Sequence, residues 1–87
     1  MRLLHVLATA YCLSGTTASG QPVQHGAIAV DPRVIRMGSR IDVPGYGRGR
    51  ALDTGSAVKG LHIDLWMRSC SAARRWGARR LTIRVRG

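Results

Sequence analysis

Phenylalanine and glutamate are both absent from this 87-residue chain, lysine occurs once (Lys59), and the acidic complement is four aspartates. Without Phe, a core has to be assembled from Leu, Ile, Val, Met, two Trp and two Tyr. At this length it is the modest core of one small domain, taken here as residues 1–87. No apolar run reaches the roughly 18 residues that a membrane-crossing helix needs. Two cysteines, Cys12 and Cys70, without a C-x-x-C or a Cys/His cluster, leave too few ligands for a metal site. Nothing else in the chain asks for a cofactor. The cysteines are either two buried thiols or one disulfide. As a disulfide they would close a long loop, worth roughly 4 kcal/mol by the chain-entropy argument, and would favour an oxidising, extracytoplasmic home.

The scarcity of acid sets the charge. Fourteen Lys and Arg against four Asp give a formal net charge of +10, which attracts polyanions of any kind: nucleic acid, anionic membrane or an acidic cell wall. The arginines are dispersed along the chain, and no helix-turn-helix, RRM or zinc-finger pattern accompanies them, so no specific nucleic-acid partner is expected. Eleven glycines with 45% hydrophobic residues suit a compact, turn-rich β fold.

One stretch organises the rest. Ala51 to Asp64 reads A-L-D-T-G-S-A-V-K-G-L-H-I-D and holds two of the four carboxylates, Asp53 and Asp64, with Gly55, Gly60 and the lone Lys59 between them. Leu61, Ile63, Leu65 and Met67 alternate with His62, Asp64 and Trp66, the period of a half-buried strand. The pattern is strand, glycine-rich turn, strand, with a carboxylate on each strand beside the loop. In a chain this poor in acid, two aspartates held together point to chemistry.

Around that centre the chain reads as short strands. The first runs from about Leu4 to Leu13; residues 1–7 are either its beginning or the remnant of a truncated leader. Ser14 to Gly26 is a small-residue loop in which Thr17 and Ser19 offer hydroxyls. Ala27–Val30 is a buried strand ended by Asp31-Pro32, a turn signal. Arg33–Arg36 makes one helical turn. Arg40–Val43 is a strand whose Asp42 faces outward as a partner for an arginine. Pro44–Gly49 turns into the strand Arg50–Asp53. Ser69 caps a helix from Cys70 to Trp76 that stops at Gly77, with Ala73 and Trp76 inward. Leu81, Ile83 and Val85 alternate with polar residues in the last strand. The sum is an all-β domain, a small closed six-stranded barrel with one late helix, because closure removes the edges of such a sheet.

Asp53-Thr54-Gly55-Ser56 matches the D-T-G-S signature of aspartic proteases, whose half-site chains pair two carboxylates across a dimer axis. That motif normally sits early, followed by a flap and an apolar-apolar-Gly segment. Here it sits late and no such segment follows. The wider order of motifs resembles another family: A-T-A-Y-C (8–12), T-A-S-G (17–20), I-A-V-D-P (28–32), M-G-S-R-I-D-V-P-G-Y-G (37–47), A-L-D-T-G-S-A-V-K-G (51–60) and H-I-D-L-W (62–66). Together they are similar to the 3D domain, named for three aspartates, over about residues 8–85.

The resemblance implies a double-psi β-barrel related to the catalytic part of MltA-type lytic transglycosylases. It implies a monomer acting on peptidoglycan glycan strands outside the cell or in its envelope, with any export signal upstream. The three family aspartates fall on Asp31, Asp53 and Asp64; Asp42 is extra, and Ser56 stands where the family often has Gly. The implied reaction cuts the β-1,4 bond from N-acetylmuramic acid to N-acetylglucosamine and leaves a 1,6-anhydromuramyl end. Ordinary glycosidases use two carboxylates. A lytic transglycosylase uses the sugar's own C6 hydroxyl as nucleophile, so one carboxyl serves as acid and then as base. By the family pattern that group is Asp64, with Asp53 as the neighbouring carboxylate and Asp31 completing the cluster. Tyr11, Thr17, Thr54, Gly55 and Lys59 are the candidate substrate contacts. Lys59 would oppose a raised Asp64 pKa and therefore belongs on substrate oxygens or on Asp53. Two other readings remain: a polysaccharide-binding module on the same barrel that does not cut, and purely structural roles for Asp31 and Asp53, bonded to turn amides.

Overall fold

The computed structural model describes residues 1–87. Six strands and one helix follow in order: β1 (Arg2–Tyr11), β2 (Ala27–Ala29), β3 (Arg40–Val43), β4 (Gly47–Asp53), β5 (His62–Trp66), α1 (Cys70–Trp76) and β6 (Arg79–Arg86). The strands close into a barrel in the order β1-β5-β2-β4-β3-β6. β1 lies parallel to β5 and β2 parallel to β4, while the remaining neighbours are antiparallel. This interleaving is the double-psi barrel that the motif order implies, and its closure leaves no sheet edge open to another chain.

The alternation read from the sequence is the alternation of the barrel wall. Ile28, Ile41, Ile63, Leu65 and Ile83 are fully buried, with Val6, Ala8, Val43 and Val85 beside them. Leu61 departs from its expected inward position; it is exposed because β5 begins one residue later. β1 runs from Arg2 to Tyr11, not from Leu4 to Leu13, and residues 2–8 pair with β6, so the first residues are barrel wall. β4 takes in Gly47, Arg48 and Gly49, which the sequence places in a turn. The reason is that Val43-Pro44-Gly45-Tyr46 turns the chain alone: Tyr46 N–H donates to the Val43 carbonyl (3.1 Å) and Gly45 has φ of 81°. Pro then Gly at the two central positions suits a type II turn. The turn at Arg33–Arg36 forms one loop of hydrogen bonds, from Val34 and Ile35 N–H to the Asp31 carbonyl (2.9 Å each), and does not propagate into a helix.

Helix α1 is capped as its sequence predicts. The Ser69 side chain accepts from Ala72 N–H, and Gly77 closes the other end. Trp76 fills one end of the core, donating its indole N–H to the Ala8 carbonyl (2.9 Å), with the Arg79 guanidinium 4.0 Å above its ring. Cys12 and Cys70 are joined in a disulfide that ties the exit of β1 to the start of α1.

Gly49 is the one strand glycine that the packing demands. A Cβ there would stand 2.6 Å from the Gly26 carbonyl oxygen and 2.6 Å from Cδ1 of Ile28. The Gly26 oxygen is main chain and cannot swing aside, so Gly49→Ala is expected to destabilise the fold by about 1–3 kcal/mol. Urea denaturation of the two proteins checks this; an unchanged midpoint would mean that β2 and β4 can move apart.

Candidate active site

The barrel register assembles the site. Ala29 pairs with Asp53 of β4 on one side and with Asp64 of β5 on the other, and Asp64 pairs in turn with Thr9 of β1. One row across four strands therefore reads Asp53, Ala29, Asp64, Thr9. Leu65 and Ile63 turn into the barrel, which sends Asp64 to the outer face. Ala29, between the carboxylates, is too short to fill the gap, so the two acids flank a shallow floor. Neighbouring strands lie about 4.8 Å apart, which sets the two aspartate backbones at about 10 Å.

Asp64 is half-buried, and its Oδ1 accepts a hydrogen bond from the Thr9 hydroxyl (3.0 Å). The Thr9 oxygen also lies 2.9 Å from Nε2 of His62, whose Nδ1 lies 3.2 Å from the Ala57 carbonyl oxygen. Burial pushes the Asp64 carboxyl above its ordinary pKa; the Thr9 hydrogen bond and the His62 charge pull it back, and the Asp53 charge pushes it further up. Asp53 is held differently. Its Oδ1 accepts from the main-chain N–H groups of Ala18 and Thr54 (2.9 Å each), and its Oδ2 accepts from the Tyr11 hydroxyl at 3.4 Å. Burial, with the negative field of Asp53 and Asp64, raises the Tyr11 phenol well above its usual value. Tyr11 is thus a neutral hydroxyl at any physiological pH, a donor beside Asp53.

Asp31 does not join this pair. It is 2% exposed, and its carboxylate is fully occupied: Arg33 bonds it through the guanidinium (3.0 and 3.1 Å) and through its main-chain N–H (3.0 Å), and Gly60 N–H donates to Oδ2 (2.9 Å). The Arg33 hydrogen bonds, followed by the Gly60 amide, hold its pKa far below the usual carboxylate range. Its place in the fold is to clip the turn after β2 to the loop that enters β5.

The candidate substrate contacts divide. Tyr11 stands beside Asp53 on the open face. Thr54 is exposed at its rim with its N–H on Asp53. Gly55 turns the loop, its carbonyl accepting from Val58 N–H (3.0 Å), and Val58 packs close enough that a Cβ on Gly55 would meet it at 3.0 Å. Lys59 is exposed and forms no ion pair with either aspartate. Thr17 is 4% exposed and its hydroxyl is taken by Ser19 (2.8 Å) and by Gln21 N–H (3.3 Å). The loop from Ser14 to Gly26 is accordingly more than a solvated connection: it is folded on itself so that Ala18 presents its amide to Asp53. Trp66 donates its indole N–H to the Leu13 carbonyl (2.9 Å), holding the β1 exit. Asp42 pairs with Arg86 (2.8 Å), the arginine partner expected for it.

The sequence alone does not single out Thr9 or the Ala18 amide. The one available signal was that Thr9 stands two residues before Tyr11, on the same strand face. None of the three cavities in the surface is lined by Tyr11, Asp53 or Asp64. The carboxylates lie on an open face, across which a long polymer can pass without threading.

Comparison with known proteins agrees with the motif order. The family model described as "3D domain" matches residues 26–86. The chain is 43% identical over 91 residues to "Cell wall-binding protein YocH" of Bacillus subtilis (strain 168), covering 94% of this chain and 32% of that protein. It is 41% identical over 93 residues to "Putative cell wall shaping protein YabE" of the same organism, covering 97% of this chain and 23% of that protein. The chain thus spans a third or less of the length of these curated relatives.

Proposed function

The chain belongs to the 3D domain family, and on that premise we propose that it is a peptidoglycan lytic transglycosylase of the cell envelope, acting as a monomer on glycan strands. The observation that carries the reading is Asp64: a half-buried carboxyl with a raised pKa, on an open face, opposite a second carboxylate. The names of the two relatives support the cell wall as the place of work.

In the proposed reaction the protonated Asp64 donates to the oxygen of the scissile bond, and the N-acetylglucosamine side leaves. Positive charge developing at C1 of the muramyl sugar is stabilised by the field of Asp53, whose two backbone N–H donors fix it in place. The Asp64 carboxylate then takes the proton from the C6 hydroxyl as that oxygen bonds to C1, which closes the 1,6-anhydro ring and regenerates the acid. Protons balance, and no water enters. Tyr11 hydrogen-bonds ring substituents, and Asp31 acts through the loop it anchors.

Thr9 serves both halves of this cycle. The Ala57 carbonyl can only accept, so Nδ1 of His62 carries a hydrogen when that bond forms. When Asp64 is protonated, it donates to the Thr9 oxygen, and Thr9 donates to Nε2 of His62. When Asp64 is ionised, the Thr9 hydroxyl turns to donate to it. Thr9→Val is therefore expected to lower peptidoglycan solubilisation by about 10–100-fold, less than the full contribution of a general acid because Asp64 itself is kept. Because the Thr9 bond lowers the Asp64 pKa, the alkaline limb of the pH–rate profile is expected to move upward in the variant. A lower rate with an unmoved limb would make Thr9 a packing residue only, and no solubilisation by the wild-type protein would remove the enzymatic reading.

The second reading, a wall-binding module that does not cut, is favoured by the open face and by the printed name of the first relative. It expects the same affinity for peptidoglycan and no product.

A further inference from the structure

The barrel carries a second ordered set of side chains, none of them shared with the row of Asp53 and Asp64. On β3, β4 and β6 the inward positions are taken by Ile41, Val43, Ala51 and Val85. The alternate residues point outward, and the strand registers set them in two rows. Arg86, Arg40 and Arg50 stand abreast across β6, β3 and β4; Arg84, Asp42 and Arg48 form the next row. Five arginines and one aspartate thus make a grid. Like charges directly opposite on a sheet destabilise it, and the grid relieves this only once, through Arg86 and Asp42 (2.8 Å). Arg40, Arg48, Arg50 and Arg84 are exposed and make no ion pair. Arg40, Arg48, Arg50 and Arg86 border a groove of about 550 Å³ whose other side is formed by Gln21, Gln24 and His25, while Arg84 lines a neighbouring cavity.

From this arrangement we infer that the groove is a binding site for a phosphodiester polymer, an anionic chain of the envelope with one charge per repeat, separate from the site at Asp64. Each guanidinium offers a planar fork that suits phosphate oxygens. Three of them abreast, at strand spacings of about 4.8 Å, answer a charge repeated along one chain better than they answer isolated carboxylates. Nucleic acid is disfavoured because no Trp or Tyr lines the groove to stack a base, and its one aromatic ring, His25, is already stacked on Tyr46. A lipid surface is disfavoured because the only apolar lining residues are Ala27, which is buried, and Leu52. Polymer bound here would hold the domain in the wall and leave the face of Asp64 free. The inference does not depend on the proposed cleavage.

The test uses the full chain and three probes: poly(glycerol phosphate), a polyuronate of similar length, and single-stranded oligothymidylate. Arg40→Gln/Arg50→Gln removes two charges from the grid, and Arg74→Gln/Arg75→Gln removes two from α1 as a control. The grid variant is expected to bind poly(glycerol phosphate) roughly tenfold more weakly at physiological ionic strength, with the slope of log K against log salt shallower by about 1.5. It should melt no lower than wild type, since it relieves repulsion. The α1 variant is expected to bind as wild type, and Asp64→Asn likewise. Equal loss in both arginine variants would reduce the effect to net charge. Tighter binding of oligothymidylate or polyuronate, or no binding of the phosphate polymer, would overturn the assignment.

Discussion

Asp64→Asn is expected to abolish release of soluble fragments from peptidoglycan, a fall of about 10³–10⁴-fold, at the upper end of what general acid–base catalysis contributes. The figure is high because one group serves as acid and as base, and no other carboxyl is poised to replace it. Asp53 is committed to the Ala18 and Thr54 amides, and Asp31 is buried against Arg33. The same substitution is expected to leave stability at neutral pH equal or slightly higher. A carboxyl whose pKa is raised by folding binds its proton more tightly in the folded state. Folding stability therefore declines as pH rises from the ordinary aspartate value through the raised one, and an uncharged amide escapes that decline. Half of the group remains open to solvent, so screening keeps the gain below about 1 kcal/mol. Asp31 has the opposite sign: its depressed pKa supplies stability above the ordinary aspartate value that is lost as pH falls below it. Melting curves of wild type and Asp64→Asn between acidic and neutral pH check both statements. A variant that is inactive because it is unfolded would deny Asp64 a chemical role.

Loss of the Cys12–Cys70 disulfide is expected to have the largest effect on stability. The sequence separation is 58 residues, for which the loop-entropy model gives roughly 4 kcal/mol, with about 2–4 kcal/mol typical in practice. In a domain of this size that is a fall in Tm on the order of 10–20 °C. The position makes it consequential for the site as well. Cys12 follows Tyr11 directly, so the bridge holds the end of β1 against α1, and with it the hydroxyl that reaches Asp53. The Cys12→Ala/Cys70→Ala protein, melted by differential scanning calorimetry beside wild type, gives the result. A Tm within a few degrees would mean that Trp76 and the barrel closure alone hold the helix.

What the sequence made legible follows from the range of each interaction. The β5 and β6 faces are written in period-two alternation, and α1 is marked by Ser69 and Gly77, so local pattern was enough for these. Pairing between distant strands is not written locally. Thr9 and Asp64 are 55 residues apart and meet only because β1 lies parallel to β5. No pattern within either segment announces that. The three aspartates look alike in the motif order, yet Asp31 is turned into a buried clasp by Arg33, two residues away, and by Gly60. Thr17 looked like an available hydroxyl until the fold of its loop turned it onto Ser19. The arginine rows escaped notice for the same reason as Thr9: dispersed in sequence, they align only when three strands are in register.

The central claim is that Asp64 drives intramolecular closure of the muramyl C6 hydroxyl onto C1. Mass spectrometry of the soluble fragments from purified peptidoglycan tests it most directly. The account expects anhydromuramyl ends, lighter by one water than the hydrolytic product, from wild type and none from Asp64→Asn. Reducing muramyl ends would contradict it, because water and not the C6 hydroxyl would then have attacked C1.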